Sequence, residues 1–324
     1  MSVLVTGGAG YIGSHFVRFL KSKNIDVVVL DNLSRGHRES LPDGVKFEKA
    51  DLLDYSSLQN SLAKHEIDAV VHFAAFAYVG ESVSNPSIYY VNNVTGSINL
   101  LNAVREAGIK KVVFSSTCSL YGNPLKVPIS ENESIKPINP YAKTKFTIEN
   151  VLSDFDAAYG IKYVALRYFN AAGCSFDGET GESHDPETHL IPLVVNNALS
   201  KNKMISIFGD DYPTPDGTCL RDYIHVNDLA DAHLRALEFL EREKKSDVFN
   251  LGTGSGNSVK EIIAAVEKIS GKKVNSQISP RREGDPAVLV ADNKKAREVL
   301  GWSPKYDLND IISSALKWHS APKY

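Results

Sequence analysis

Cysteine is scarce in this chain. Cys118, Cys174 and Cys219 are an odd number without paired spacing, which excludes a disulfide framework and points to reduced thiols in a cytoplasmic protein. Long apolar runs are missing too. The longest, at 69–79, is interrupted by His72 and falls short of a membrane span. The first apolar run has no basic segment before it and ends at glycines after strand length, so no signal peptide is expected. Neither sign of charge is in excess: 36 Lys and Arg against 39 Asp and Glu leave -3, so nothing electrostatic favours nucleic acid or an anionic membrane as a partner. The mixed-sign run at 241–245 reads as a solvated helix end.

What is present is a chain of 324 residues, 43% hydrophobic, enough for one large domain and a smaller one. It begins with an apolar strand-length run that feeds through Gly7, Gly10 and Gly13 into an amphipathic stretch. At that spacing one glycine makes a tight turn, one lets backbone approach a pyrophosphate, and one lets helix pack on strand. The phosphate then lies on free N–H groups at the positive end of the helix. Asp31 ends the next apolar run, where a ribose diol needs a carboxylate. Arg35 and Arg38 follow in a polar loop and would suit a 2′-phosphate, but the acid at the strand end favours NAD. Asp51 suits either the adenine amino group or a helix cap shared with Asp54.

Strands are expected at 45–48, 69–75, 111–117 and 162–167, with a long helical pattern starting at Pro86 and carrying Asn92 and Asn93 in its middle. This alternation predicts an α/β fold, a doubly wound parallel sheet of Rossmann type, over 1–170. A smaller mixed α/β domain is expected over 171–324, with segments near 221–253 returning to the first. The stretch 174–187 lacks periodicity and reads as an exposed loop. His184 and His189 with Glu182, Asp185 and Glu187 have the residue types of a metal cluster, but their spacing fits no helix-borne ligand pair, so no metal is expected. Beyond it, strands or helices are expected at 204–208, 226–239, 248–251, 259–269, 287–290 and 308–318.

Tyr141 and Lys145 are four residues apart behind Pro140 and share one helical face. Using a tyrosine as a base near neutral pH means stabilising its phenolate by roughly 4 kcal/mol, and a lysine one turn away supplies part of that. Alone, the pair reads better as surface decoration than as a site. Thr117, at the carboxyl end of an expected strand, together with the glycine turn, turns it into a candidate site.

The sequence resembles the extended short-chain dehydrogenase/reductases, and within them the nucleotide-sugar epimerases. The resemblance rests on 6–13, on Phe114-Ser115-Ser116-Thr117, on Pro140-Tyr141 with Lys145, on Arg167-Tyr168-Phe169-Asn170, on 221–226 and on 281–285. It implies reversible, NAD-dependent inversion at C4 of UDP-glucose and UDP-galactose, with NAD recycled in place. Thr117, Tyr141 and Lys145 would be catalytic. Gly7, Gly10, Tyr11, Ile12, Gly13, Asp31, Asn32, Asp51, Leu52, Phe73, Ala74, Asn92 and Tyr168 would surround NAD, and Tyr141 and Lys145 would also touch it. Thr117, Asn170, His189, Leu190, Phe208, Arg221, Arg282, Asp285 and Leu289 would face the UDP-sugar. A homodimer through helices near 86–107 and 141–159 is implied as well. Ala77 stands where some members place a lysine, and His189 replaces an amide. Leu289, at the position beside the sugar 2-substituent, leaves open whether N-acetylated UDP-sugars enter. A 4,6-dehydratase would need an acid pair where Cys118 and Ser119 stand, and an inactive NAD-binding protein would have lost the tyrosine.

Overall fold

The valine-rich runs that end at polar or glycine residues become the strands of one parallel sheet, buried on both faces as such sheets are. The computed structural model describes residues 1–200, 204–282 and 285–324. Strands β1 (Ser2–Thr6), β2 (Asp26–Asp31), β3 (Lys46–Lys49), β4 (Ala69–His72), β5 (Lys111–Thr117) and β6 (Lys162–Tyr168) lie in a seven-stranded sheet completed by Asp247–Leu251. From edge to edge the order is Asp247–Leu251, β6, β5, β4, β1, β2, β3. The chain therefore runs outward from β1 to β3, crosses back to β4 and proceeds the other way. The crevice between the carboxyl ends of β1 and β4 is the switch point at which open sheets bind ligands.

Register puts the chemical groups in a row. Thr6 pairs with His72, His72 with Phe114, and Thr117 with Tyr168. His72 joins the layers: its ring nitrogens meet the Thr6 hydroxyl at 2.7 Å and the Ser97 hydroxyl at 2.8 Å. Burial holds it neutral, lowering its pKa to about 3.

Apolar side chains cover both faces of the sheet. Phe16, Val17 and Leu20 from α1 (Tyr11–Ser22) and Ala236, Leu237 and Leu240 from the helix Val226–Glu243 pack on one face. Leu58, Leu100, Leu101, Val104, Ile148 and Leu152 pack on the other. A separate cluster joins the helices Leu190–Ser200, Val259–Ser270 and Leu308–Ser320 through Val194, Val195, Ile262, Val266, Ile311 and Ile312.

Four local expectations change. The stretch 174–187 is a loop but not an exposed one, since Cys174, Ser175, Thr180 and Glu182 are buried. β4 stops at His72 rather than running to residue 75, because the amides of Phe73 and Ala74 both turn onto the Thr6 carbonyl, at 2.9 and 3.1 Å. The helical pattern from Pro86 is not one α-helix: Pro86–Tyr89 passes through a π-helical turn at Tyr90–Thr95 before Gly96–Glu106. The helix Leu190–Ser200 was not expected. Its run of Leu, Ile, Pro and Val is apolar nearly all round and shows no amphipathic period.

Candidate active site

The glycine turn is shaped by what a side chain would strike. A Cβ at Gly7, where φ is +70°, would lie 2.5 Å from the Ala74 amide nitrogen, and one at Gly13 would lie 2.3 Å from the Gly7 carbonyl oxygen. Both positions exclude any side chain. Gly10 differs: its Cβ would meet only the Gly7 oxygen, at 3.3 Å, so its open side leaves room for a ligand. Gly10 is also the N-cap of α1 and offers no side chain to the first-turn N–H groups. This is a cradle that an anionic phosphate fits. Tyr11 reaches away from it, its hydroxyl donating to the Gly173 carbonyl at 2.5 Å.

Asp31 is buried at the end of β2. Its carboxylate accepts the amides of Ala9 at 3.0 Å and Leu33 at 2.8 Å, tying the glycine loop to the strand end. Asp51 accepts from the Asn32 side chain at 2.9 Å and from the Leu53 amide at 2.8 Å. The following helix is capped by Asp54 alone, through the Ser57 amide. Arg35 is held by Glu81 at 2.7 Å and lies over the rings of Phe76 and Tyr78, while Arg38 lies over Phe47. Neither guanidinium stands uncommitted beside Asp31, which agrees with a ribose diol rather than a 2′-phosphate there. Leu52 is buried in the core and Phe73 packs between Phe16 and His233. Asn92 donates to the Asn93 side chain at 2.9 Å.

Tyr141 and Lys145 sit on the helix Pro140–Tyr159, whose N-cap Asn139 accepts the Ala142 amide at 2.9 Å. The buried Asn93 fixes this helix against the loop after β4. Its amide exchanges hydrogen bonds with the Phe76 backbone at 2.8 and 3.1 Å and donates to the Thr144 hydroxyl at 3.1 Å. The Lys145 ammonium donates to the Ser115 carbonyl at 2.7 Å and stands 5.9 Å from the Tyr141 ring centre. Burial lowers its pKa to about 7, against the pull of Glu149. Burial also pushes Tyr141 up to about 12, while hydrogen bonding from Thr117 favours the phenolate. The Tyr168 and Ser115 hydroxyls bond to each other behind this pair.

One turn beyond Lys145, Glu149 forms a buried pair with Arg167, at 3.0 and 2.5 Å, and also accepts from the Ser116 hydroxyl at 2.5 Å. Arg167 goes on to Tyr121 at 3.1 Å, whose hydroxyl donates to Asn250 at 2.7 Å. Sequence reasoning gave these residues no role in the site. Glu149 was findable, being on the helical face of Tyr141 and Lys145; its partner follows only from the pairing of β5 with β6.

On the other side of the cleft, short strand pairings gather residues distant in sequence. Arg221 pairs with Leu289 and Tyr223 with Asn170. Arg221 is held by Asp285, and Arg282 stacks on Phe208 at 4.0 Å. Leu289 packs beside a cluster containing Cys118, Tyr121 and Phe169. Glu283 and Gly284 of the 281–285 motif lie outside the described residues.

The loop at 182–189 corrects a premise. Glu182, His184, Glu187 and His189, set aside because their spacing suits no helix, converge so that one donor atom from each lies within 4.8 Å of the others. The test of helical spacing does not apply to an irregular loop. Asp185 is not part of the group. His189 thereby turns its Nδ1 to Glu182 and Glu187, at 2.8 and 2.9 Å.

Residues 3–252 match the family described as NAD dependent epimerase/dehydratase. The chain belongs to this family. It is similar to a curated UDP-glucose 4-epimerase of Lactobacillus helveticus, 52% identical over 325 residues that cover 100% of this chain and 98% of the other. It is also similar to the crystal structure of a Brucella ovis UDP-glucose 4-epimerase in complex with NAD, at 48% identity and TM-score 0.95, covering 97% of each chain. A third similar structure is the UDP-Glc/GlcNAc 4-epimerase of Campylobacter jejuni, at 43% identity and TM-score 0.87, covering 98% of this chain and 99% of that one. Membership agrees with the sheet order and the switch-point cradle. Among the described residues, no helix is long and apolar enough to cross a membrane.

Proposed function

We infer that this chain is an NAD-dependent 4-epimerase that interconverts UDP-glucose and UDP-galactose through a 4-keto sugar. The observation that carries this reading is the grouping of buried Thr117 and Lys145 with half-buried Tyr141 at the carboxyl edge of the sheet that also bears the open glycine cradle. A bound nicotinamide would supply a hydride acceptor for C4 and a positive charge that favours the phenolate. Tyr141 takes the proton of the 4-hydroxyl and returns it, and Thr117 orients that hydroxyl. Lys145 holds the nicotinamide ribose and favours the phenolate. The protein's own groups leave Tyr141 a neutral phenol, with its pKa near 12, so the charge that makes it a base arrives with the cofactor.

Arg221, Arg282 and Asn170 grip the diphosphate, a task that suits guanidinium forks. Leu190, Phe208 and Asp285 surround the uridine, and Leu289 borders the sugar 2-substituent. The protein works as a homodimer. Exposed Val83, Tyr90 and Val91 near the helix Gly96–Glu106 and exposed Tyr159 on the helix Pro140–Tyr159 support that surface. Its three unpaired cysteines suit the cytoplasm. We divide the chain into an NAD-binding part at 1–170, rejoined by segments near 221–253, and a UDP-sugar-binding part at 171–324.

The test mixes purified protein, with no NAD added, with UDP-galactose and UDP-N-acetylgalactosamine and follows the anomeric protons by NMR. Conversion of UDP-galactose is expected. Conversion of the N-acetylated sugar as well would make the enzyme dual in specificity, and Leu289→Tyr should then suppress that second activity. No conversion of either, even with NAD supplied, would leave a binding protein in place of the epimerase.

A further inference from the structure

We propose that Glu182, His184, Glu187 and His189 are the four ligands of a structural zinc site, separate from the reaction centre at Tyr141. The donor set consists of two imidazoles and two carboxylates, and all four donor atoms lie within 4.8 Å of one another. Both histidines present the same nitrogen to the centre. His189 Nδ1 is 2.8 Å from a Glu182 oxygen and 2.9 Å from a Glu187 oxygen, and His184 Nδ1 is 3.3 and 3.7 Å from oxygens of the same two carboxylates. Ligands about 2.0–2.1 Å from a tetrahedral zinc stand about 3.3–3.4 Å apart, and the four separations straddle that edge length.

Ion pairing alone leaves part of this arrangement unexplained. His184 Nδ1 is buried and makes no well-formed hydrogen bond although two carboxylates flank it. A cation shared by the four donor atoms accounts for that geometry. Two carboxylates with two neutral imidazoles also balance one divalent cation.

The ligand types and surroundings narrow the ion. Imidazole with carboxylate in a four-point arrangement suits zinc better than the hard, oxygen-seeking calcium or magnesium. Four protein ligands fill a tetrahedron and leave no open position for substrate or water, which marks a structural site. Outer contacts already hold the ligands: Glu187 accepts the amides of Thr188 at 2.7 Å and His189 at 2.8 Å, and the rings of Tyr11 and Tyr78 stand edge-on to His184. The ion would staple an irregular loop that has no strand pairing of its own, directly before the helix Leu190–Ser200.

The test uses the full untagged chain, incubated with zinc chloride, desalted and analysed for metal by mass spectrometry. About one zinc per chain is expected, with zinc raising the unfolding midpoint by at least about 4 °C. His184→Ala and Glu187→Ala should each reduce retained zinc more than about tenfold and abolish the thermal shift. X-ray absorption at the zinc edge of the unmodified protein should show only nitrogen and oxygen neighbours, so the proposal does not depend on the variants folding. Less than about a tenth of an equivalent after incubation, undiminished zinc in both variants as an adventitious ion only, or sulfur neighbours would each overturn it. Epimerisation is assayed separately, so failure of that reading leaves this result interpretable.

Discussion

Two clusters of partly buried titratable groups respond to burial in opposite ways. Around Tyr141 and Lys145, burial prevails: the phenol rises to about 12 and the ammonium falls to about 7. In the 182–189 loop burial also works against charged histidines, but with no ion bound the adjoining carboxylates of Glu182 and Glu187 override it, raising His184 to about 9 and His189 to about 10. With no ion bound, the loop cluster is compensated from within the protein, whereas the candidate reaction site leaves its charge to be completed by what binds. That is a property suited to a site whose base must become active only when the cofactor is in place.

The largest break in this contrast is Tyr141→Phe. Removing the hydroxyl should cost about 10²- to 10⁴-fold in turnover, with bound NAD and the unfolding midpoint unchanged. Initial rates on UDP-galactose check it; undiminished turnover would remove Tyr141 from the chemistry. Next in size is Glu149→Gln, which leaves the buried Arg167 short of its counter-charge. A loss of about 3–5 kcal/mol in urea unfolding is expected, and a double change of Glu149→Leu with Arg167→Met should recover much of it.

The cradle offers a finer comparison. Gly13→Ala should destabilise the fold because its Cβ meets backbone at 2.3 Å, whereas Gly10→Ala, with its nearest contact at 3.3 Å, should fold normally and retain less NAD. Absorbance of the purified proteins and their melting midpoints separate the two effects. A further expected effect is a pH dependence. Lys145 has a folded pKa of about 7, below its unfolded value of about 10.4. The unfolded chain therefore binds more protons between these values, and stability of cofactor-free protein should rise with pH across that window. Lys145→Met should flatten this slope in melting curves taken from pH 7 to 10; an unchanged slope would place the titration elsewhere.

What could be read from the sequence followed regularity. Gly7, Gly10, Gly13 and Asp31 sit at fixed offsets on a strand, a turn and a helix, and Tyr141 with Lys145 repeat at helical spacing, so local periodicity located the sheet and the candidate catalytic groups. The π-helical turn that aims Asn93 at Phe76 and Thr144 has no such mark, because its sequence pattern is that of an ordinary helix. Arg167 meets Glu149 only through strand pairing, and Arg221 meets Leu289 only through a two-residue strand. The convergence of residues 182–189 depends on a loop path held from outside, by Tyr11 on Gly173 and by Trp318 on the Glu182 carbonyl at 2.9 Å. Spacing carries no information about such contacts.

The most direct measurement converts UDP-galactose deuterated at C4 in ordinary water with the protein as purified. If hydride leaves C4 for the bound cofactor and returns to the opposite face, UDP-glucose should form with the deuterium retained at C4. Loss of the label to solvent, or no conversion by NAD-loaded protein, would contradict hydride transfer and return within one closed site.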